Sequence, residues 1–162
     1  MIFVYSKKIY ADIGDHVFPM EKYALVYNRL INEGIAKPED FTEPQEASIE
    51  DLLLVHTKEY VNDFMTLSWT YRTDHSELPL TEDIRTSYLI GTGGTILACQ
   101  KALTNLISVN IGGGFHHAFP DHAEGFCYTN DIAIAIRRLQ RDKKAQKFLV
   151  IDCDVHQGNG TA

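Results

Sequence analysis

Apolar residues first gather in "IFVYS" (2–6), a β-rich run of the length of one strand. Met20, Tyr23, Ala24, Tyr27, Leu30 and Ile31 then recur every three or four positions and stop at Gly34, which predicts an amphipathic helix closed by glycine. Pro38 and Pro44 bracket a loop. Ser48 and Asp51 stand in a capping-box arrangement, and Thr57 opens a second helix through "KEYVNDFM". The run "SWTYRTDHSELP", ending at Pro79, reads as a surface connection. From Thr81 the helical period returns, with Tyr88, Thr92, Thr95, Ile96, Cys99 and Leu103 along one face. Gly91, Gly93 and Gly94 lie inside this helix, where each costs about 1 kcal/mol relative to alanine, so a close backbone approach is expected there. "ISVNI" (107–111) reads as a buried strand, and Thr129 or Asn130 as the cap of a helix carrying Ile132, Ile136 and Leu139. "KFLVIDCDVHQGNG" reads as a further apolar strand that ends in charged residues. The alternation of strand, helix and strand predicts an α/β fold, a parallel sheet with flanking helices and functional groups at the carboxyl ends of the strands. No internal repeat, low-complexity stretch or second domain interrupts residues 1–162.

Composition narrows the function classes. The 22 acidic residues outnumber the 15 basic ones, and the net charge of -7 argues against a nucleic-acid-binding face. Cys99, Cys127 and Cys153 are odd in number and form no C-x-x-C pair, so neither a disulfide framework nor a cysteine zinc site is indicated. "MIFVYSKKIY" lacks the pattern of a secretory leader, and no stretch approaches the roughly 20 apolar residues of a membrane helix. The expectation is a cytoplasmic protein with no membrane or nucleic-acid partner.

Two of the predicted strands run into polar clusters, "NIGGGFHH" and "VIDCDVHQGNG". In the second, Asp152, Asp154 and His156 alternate, and alternate residues of a strand face one side. A lone histidine at a strand end is ordinarily a hydrogen-bonded structural residue. Two carboxylates converging with an imidazole are harder to bury without a cation, and that donor set suits zinc. For His116 and His117 taken alone, catalysis and structure remain equally open.

The motifs "GGGFHHA", "GFCYTND" and "DCDVHQGNGT" resemble the zinc-dependent histone deacetylase family, which shares the arginase/deacetylase fold. "FHHAFPDHAEGFC" and "DVHQGNGTA", with "HVFPMEKY" and "LLLVHTKEYV" upstream, are most similar to bacterial members related to the class IV enzymes. Arginase-type manganese enzymes carry D-x-H-x-D where this chain has D-x-D-x-H. The resemblance implies that Asp154 and His156 bind Zn2+, that His117 is the general base with Asn159 as its partner, and that His116, partnered by Asp152, gives electrostatic support. It also implies that Gly125 and Phe126 wall an acyl-lysine tunnel, and that a monovalent cation (K+ or Na+) sits near Asp152 and the main-chain oxygens of Asp154 and His156. The function implied is zinc-dependent hydrolysis of N-acyl (acetyl) amides, with an acylated lysine or other N-acyl amine as substrate. Family members are about twice this long, so the chain is expected to be the N-terminal part of a single deacetylase domain with an incomplete sheet. A third ligand and an oxyanion tyrosine are then expected beyond Ala162, and the remainder of the enzyme or an oligomer would cover the exposed sheet edge. Alone, the chain would have little or no activity. Within it, His16, His56, Asp121 and His122 are the first candidates for a missing ligand. A second reading is a non-catalytic fragment or interaction module that retains a partial metal site.

Overall fold

The computed structural model describes all residues, 1–162. Its sheet has three parallel strands, β1 (Ile2–Val4), β2 (Phe41–Thr42) and β3 (Ser108–Asn110), in the order β2-β1-β3. Phe3 pairs with Phe41 and Val109 with Phe3, so β1 is the centre. Phe3 and Phe41 stack on one face, where Tyr27 of helix α1 (Lys22–Asn32) meets both Phe41 and Tyr5. Val4 lies between Phe3 and Tyr5, points to the opposite face and is fully buried. β2 falls inside the stretch read as a loop. Two residues between prolines carry no periodicity, and the pairing with β1 alone makes them a strand.

Ser48 caps the short helix α2 (Ile49–Leu52) with Asp51 completing the capping box, and Thr57 caps α3 (Lys58–Met65) through the N–H of Tyr60. The expected surface connection before Pro79 is partly interior, since Thr73 and Ser76 are fully buried by hydrogen bonds that its polar composition conceals. Helix α4 (Glu82–Asn105) runs against β1 and β3 and is buried on every side from Ser87 to Gly94. Its glycines make the expected close approach. A Cβ on Gly91 would strike the carbonyl oxygen of Gly112 and the ring of Phe115, and one on Gly93 would strike that of Gln45. Leu103, read on one face with Tyr88, Thr92 and Ile96, is exposed where those three are buried. Asn130 is the residue that caps α5 (Asp131–Arg141), and α5 packs along α4.

The two later strands differ from expectation. β3 is shorter than 107–111 and half-covered, because its outer edge has no neighbour. The stretch beginning at Lys147 pairs with nothing and forms no strand, and Leu149 and Ile151 are 84% and 77% exposed. An apolar run becomes a strand only where a neighbour offers hydrogen bonds, and none lies beside it here.

Candidate active site

The turn that follows β3 is held by one carboxylate. Asp131, fully buried at the first position of α5, accepts from the N–H groups of Gly114 (2.9 Å) and Phe115 (2.7 Å) and from the Thr95 hydroxyl (2.5 Å). Burial pushes its carboxyl above the ordinary range, opposed by those donors. Gly113 must be glycine, since a Cβ would meet Thr95 and Asp131, and Gly114 turns the chain at φ +96°. His116 and His117 are thus delivered side by side, with ring centroids 4.2 Å apart.

Their partners differ in charge. His116 Nδ1 lies 2.7 Å from Asp152 Oδ2, and His117 Nδ1 lies 2.6 Å from Asn159 Oδ1. The hydrogen bond from His116, chiefly, holds the Asp152 carboxyl below its usual range. Asp154 and His156 come to the same place without a strand. Asp152 accepts from the N–H of Asp154, and Asp154 accepts from that of His156, so two successive side-chain-to-backbone turns do what strand alternation was expected to do. Asp154 Oδ1 stands 3.0 Å from His156 Nδ1, and the His156 ring is 6.0 Å from that of His117.

These groups open on a cavity of about 450 Å³ lined by His116, His117, Asp154 and His156 together with Gly125 and Phe126. Gly125 sits at φ +51°, and a Cβ there would come within 2.7 Å of the His117 ring. Phe126 follows at φ +62°, its carbonyl accepting from the Tyr88 hydroxyl and its ring packed on His16 and Phe18. Cys127 also faces the cavity, but burial pushes its thiol up to about 12, so it stays protonated and inert.

The structure adds residues to the cavity that sequence reasoning did not single out. Lys22 reaches it from α1 with its ammonium 4.0 Å from the Phe18 ring centroid, and burial lowers its pKa. Glu77 lines it from a left-handed turn. Glu124, just outside, accepts from Asn159 Nδ2 at 2.6 Å. Nothing in the helical period marks Lys22. Glu124 carried a signal in its place directly before Gly125. Of the other candidate ligands, His56 is buried between the Phe119 carbonyl and the Asn130 N–H, His16 packs edge-on against Phe126, and His122, paired with Asp121, stands beside Glu124; none of the four lines the cavity. No group of three His, Cys, Asp or Glu side chains is placed to hold a metal.

Residues 16–162 match the model of the histone deacetylase domain. The chain is 32% identical to histone deacetylase 2 of Arabidopsis thaliana over 90% of its own length and 39% of that protein's. It is 30% identical to the acetoin utilization protein AcuC of Bacillus subtilis over 98% of its length and 44% of that protein's. Among solved structures, a histone deacetylase homologue from Aquifex aeolicus superposes with a TM-score of 0.80 at 27% identity, covering 98% of this chain and 46% of that one. The chain therefore spans less than half the length of these relatives.

Proposed function

The chain belongs to the histone deacetylase family, with its parallel α/β fold, and from that premise we propose that it carries part of a site for zinc-dependent hydrolysis of N-acyl amides such as acetyl-lysine, in the cytoplasm. One observation carries the reading: two histidines with unlike partners, an aspartate and a further histidine share one cavity.

Asp154 and His156 would hold the metal. Their facing atoms are 3.0 Å apart, near the roughly 3.3 Å between two ligand atoms each about 2.0 Å from a tetrahedral zinc. They supply two of the three or four ligands zinc ordinarily takes, and the rest, with an oxyanion donor, fall to residues outside this set. When bound, zinc supplies a Lewis acid for the amide carbonyl and lowers the pKa of a water. The reading extends to K+ or Na+ beside Asp152, whose oxygens keep spare lone pairs. His117, beside a neutral amide, takes the proton of the attacking water and returns it to the leaving amine. His116, held by the Asp152 carboxylate, gives electrostatic support to the oxyanion that forms from the amide carbonyl. Phe126 and Gly125 flank the aliphatic stem of the acylated side chain. The open edge of β3 calls for cover by further polypeptide of the same enzyme or by a second copy.

The test is made in an enzyme of full family length carrying these residues. His117→Ala should lower kcat on an acetyl-lysine peptide by about 10²-fold or more with zinc retained, and His116→Ala by less. Equal, mild losses would remove the base role from His117. The want of a third ligand beside Asp154 and His156 favours a second reading, a non-catalytic interaction module with a partial metal site, for which zinc would bind weakly and neither histidine would affect turnover.

A further inference from the structure

The partner of His116 is a carboxylate and accepts a hydrogen bond whichever way it turns. The partner of His117 is an amide, with an accepting end and a donating end, and its usefulness depends on which end faces the ring. Asn159 lies between two groups: Oδ1 is 2.6 Å from His117 Nδ1, and Nδ2 is 2.6 Å from Glu124 Oε1. An ionised carboxylate only accepts, so the amide must turn its NH2 to Glu124 and its carbonyl to His117. A carbonyl also only accepts, so the hydrogen of the neutral ring must sit on Nδ1, leaving Nε2 with the lone pair.

We infer that Glu124 is a positioning residue that fixes the tautomer of His117 through the amide of Asn159. The inference rests on the reading of His117 as the base, for which only a free lone pair on Nε2 serves. Glu124 is itself fixed. Its main chain forms a two-way bridge with Cys127, its N–H donating to the Cys127 carbonyl at 3.1 Å and its own carbonyl accepting from the Cys127 N–H at 2.9 Å. Its second oxygen lies 3.6 Å from His122 Nε2, and His122 Nδ1 in turn lies 2.7 Å from Asp121. Without the charge at 124, the amide can turn over, present its NH2 to Nδ1 and favour the tautomer whose Nε2 carries the proton.

The experiment is long-range proton–nitrogen NMR on the metal-free, imidazole-¹⁵N-labelled chain at about pH 8, above the ordinary histidine pKa. In the unaltered protein His117 should show hydrogen on Nδ1. In Glu124→Gln the ratio of Nδ1–H to Nε2–H rings should fall about tenfold or more, as befits one lost charge-assisted hydrogen bond. Adding Asn159→Asp to Glu124→Gln should restore Nδ1–H, because a carboxylate at 159 needs no reference. A general disturbance of the fold would not be reversed in this way. His56, whose nitrogens face the Phe119 carbonyl and the Asn130 N–H, reports in the same spectrum that the fold is intact. Hydrogen on Nε2 in the unaltered protein, or an unchanged ratio in Glu124→Gln with His56 in place, overturns the inference. If the ratio follows Glu124 while His117→Ala keeps full activity, the base reading fails and the positioning stands.

Discussion

The polypeptide that brings His116 and His117 to the cavity and the one that brings Asp154 and His156 are held by opposite means. The first is locked from within. Asp131 takes two of its N–H groups, Gly113 admits no side chain, and Phe115 packs on Tyr88 with centroids 4.5 Å apart. The second leaves Lys147 without a ladder, exposes Leu149, Ile151 and Val155, and is tied down mainly where Asp152 meets His116, Asn159 meets His117 and Thr161 meets Asn130. Asp154 and His156 therefore depend on the histidines for their position, while the histidines depend on the core.

The widest separation of the two should come from Asp131→Ala, which strands two buried N–H groups and a hydroxyl. It is expected to cost about 3 kcal/mol or more of stability, read by urea unfolding. A loss under about 1 kcal/mol would show that the glycine turn holds itself. Close behind comes pH. His56 is 4% exposed and titrates at about 4 when folded, against about 6.5 unfolded, because burial disfavours its charged form. The unfolded chain therefore binds the extra proton first. Stability is whole above pH 6.5 and falls as pH drops toward 4, by about 3 kcal/mol in all. His56 joins the loop after His117 to the cap of α5, so replacing it with glutamine should flatten that slope. On the exposed side, Asp154→Ala or His156→Ala in an enzyme of full family length should abolish zinc retention on dialysis, and in the metal-free chain should change stability by less than about 0.5 kcal/mol. Smallest of all should be Leu149→Ser and Ile151→Ser, each within about 0.5 kcal/mol, with the amides of 148–151 exchanging far faster than those of β1. Slow exchange at 148–151 would reveal a neighbour and erase the contrast.

The elements legible in the sequence were those whose cause is local. The caps at Ser48 and Thr57, the cap of α5 as far as the choice between Thr129 and Asn130, and the crowded glycines of α4 follow from residue type and spacing, and the structure has them. β2 and the stretch after Lys147 were misread in opposite directions for one reason, that a strand is a property of two segments. Phe41 and Thr42 have a partner in β1, and Phe148 to Ile151 have none. In the site, the glycine-histidine motif and the acidic alternation pointed to the residues that line the cavity. Lys22 and Glu77 did not announce themselves, because their places come from what folds beside them rather than from any spacing in the chain, and Glu124 was marked only by standing directly before Gly125.

The bare run from Phe148 to Ile151 also bears on how the molecule behaves in a crowded solution. It is four apolar residues without a strand partner, free of proline and glycine, the composition that stacks readily with copies of itself. Lys147 and Asp152 are the charges that close it at either end, and such flanking charges hold stacking in check. Asp152 thereby serves two ends, as the anion beside His116 and as a guard on colloidal stability. A neutral residue at 152 should lower the concentration at which the protein clouds, whatever it does to the chemistry.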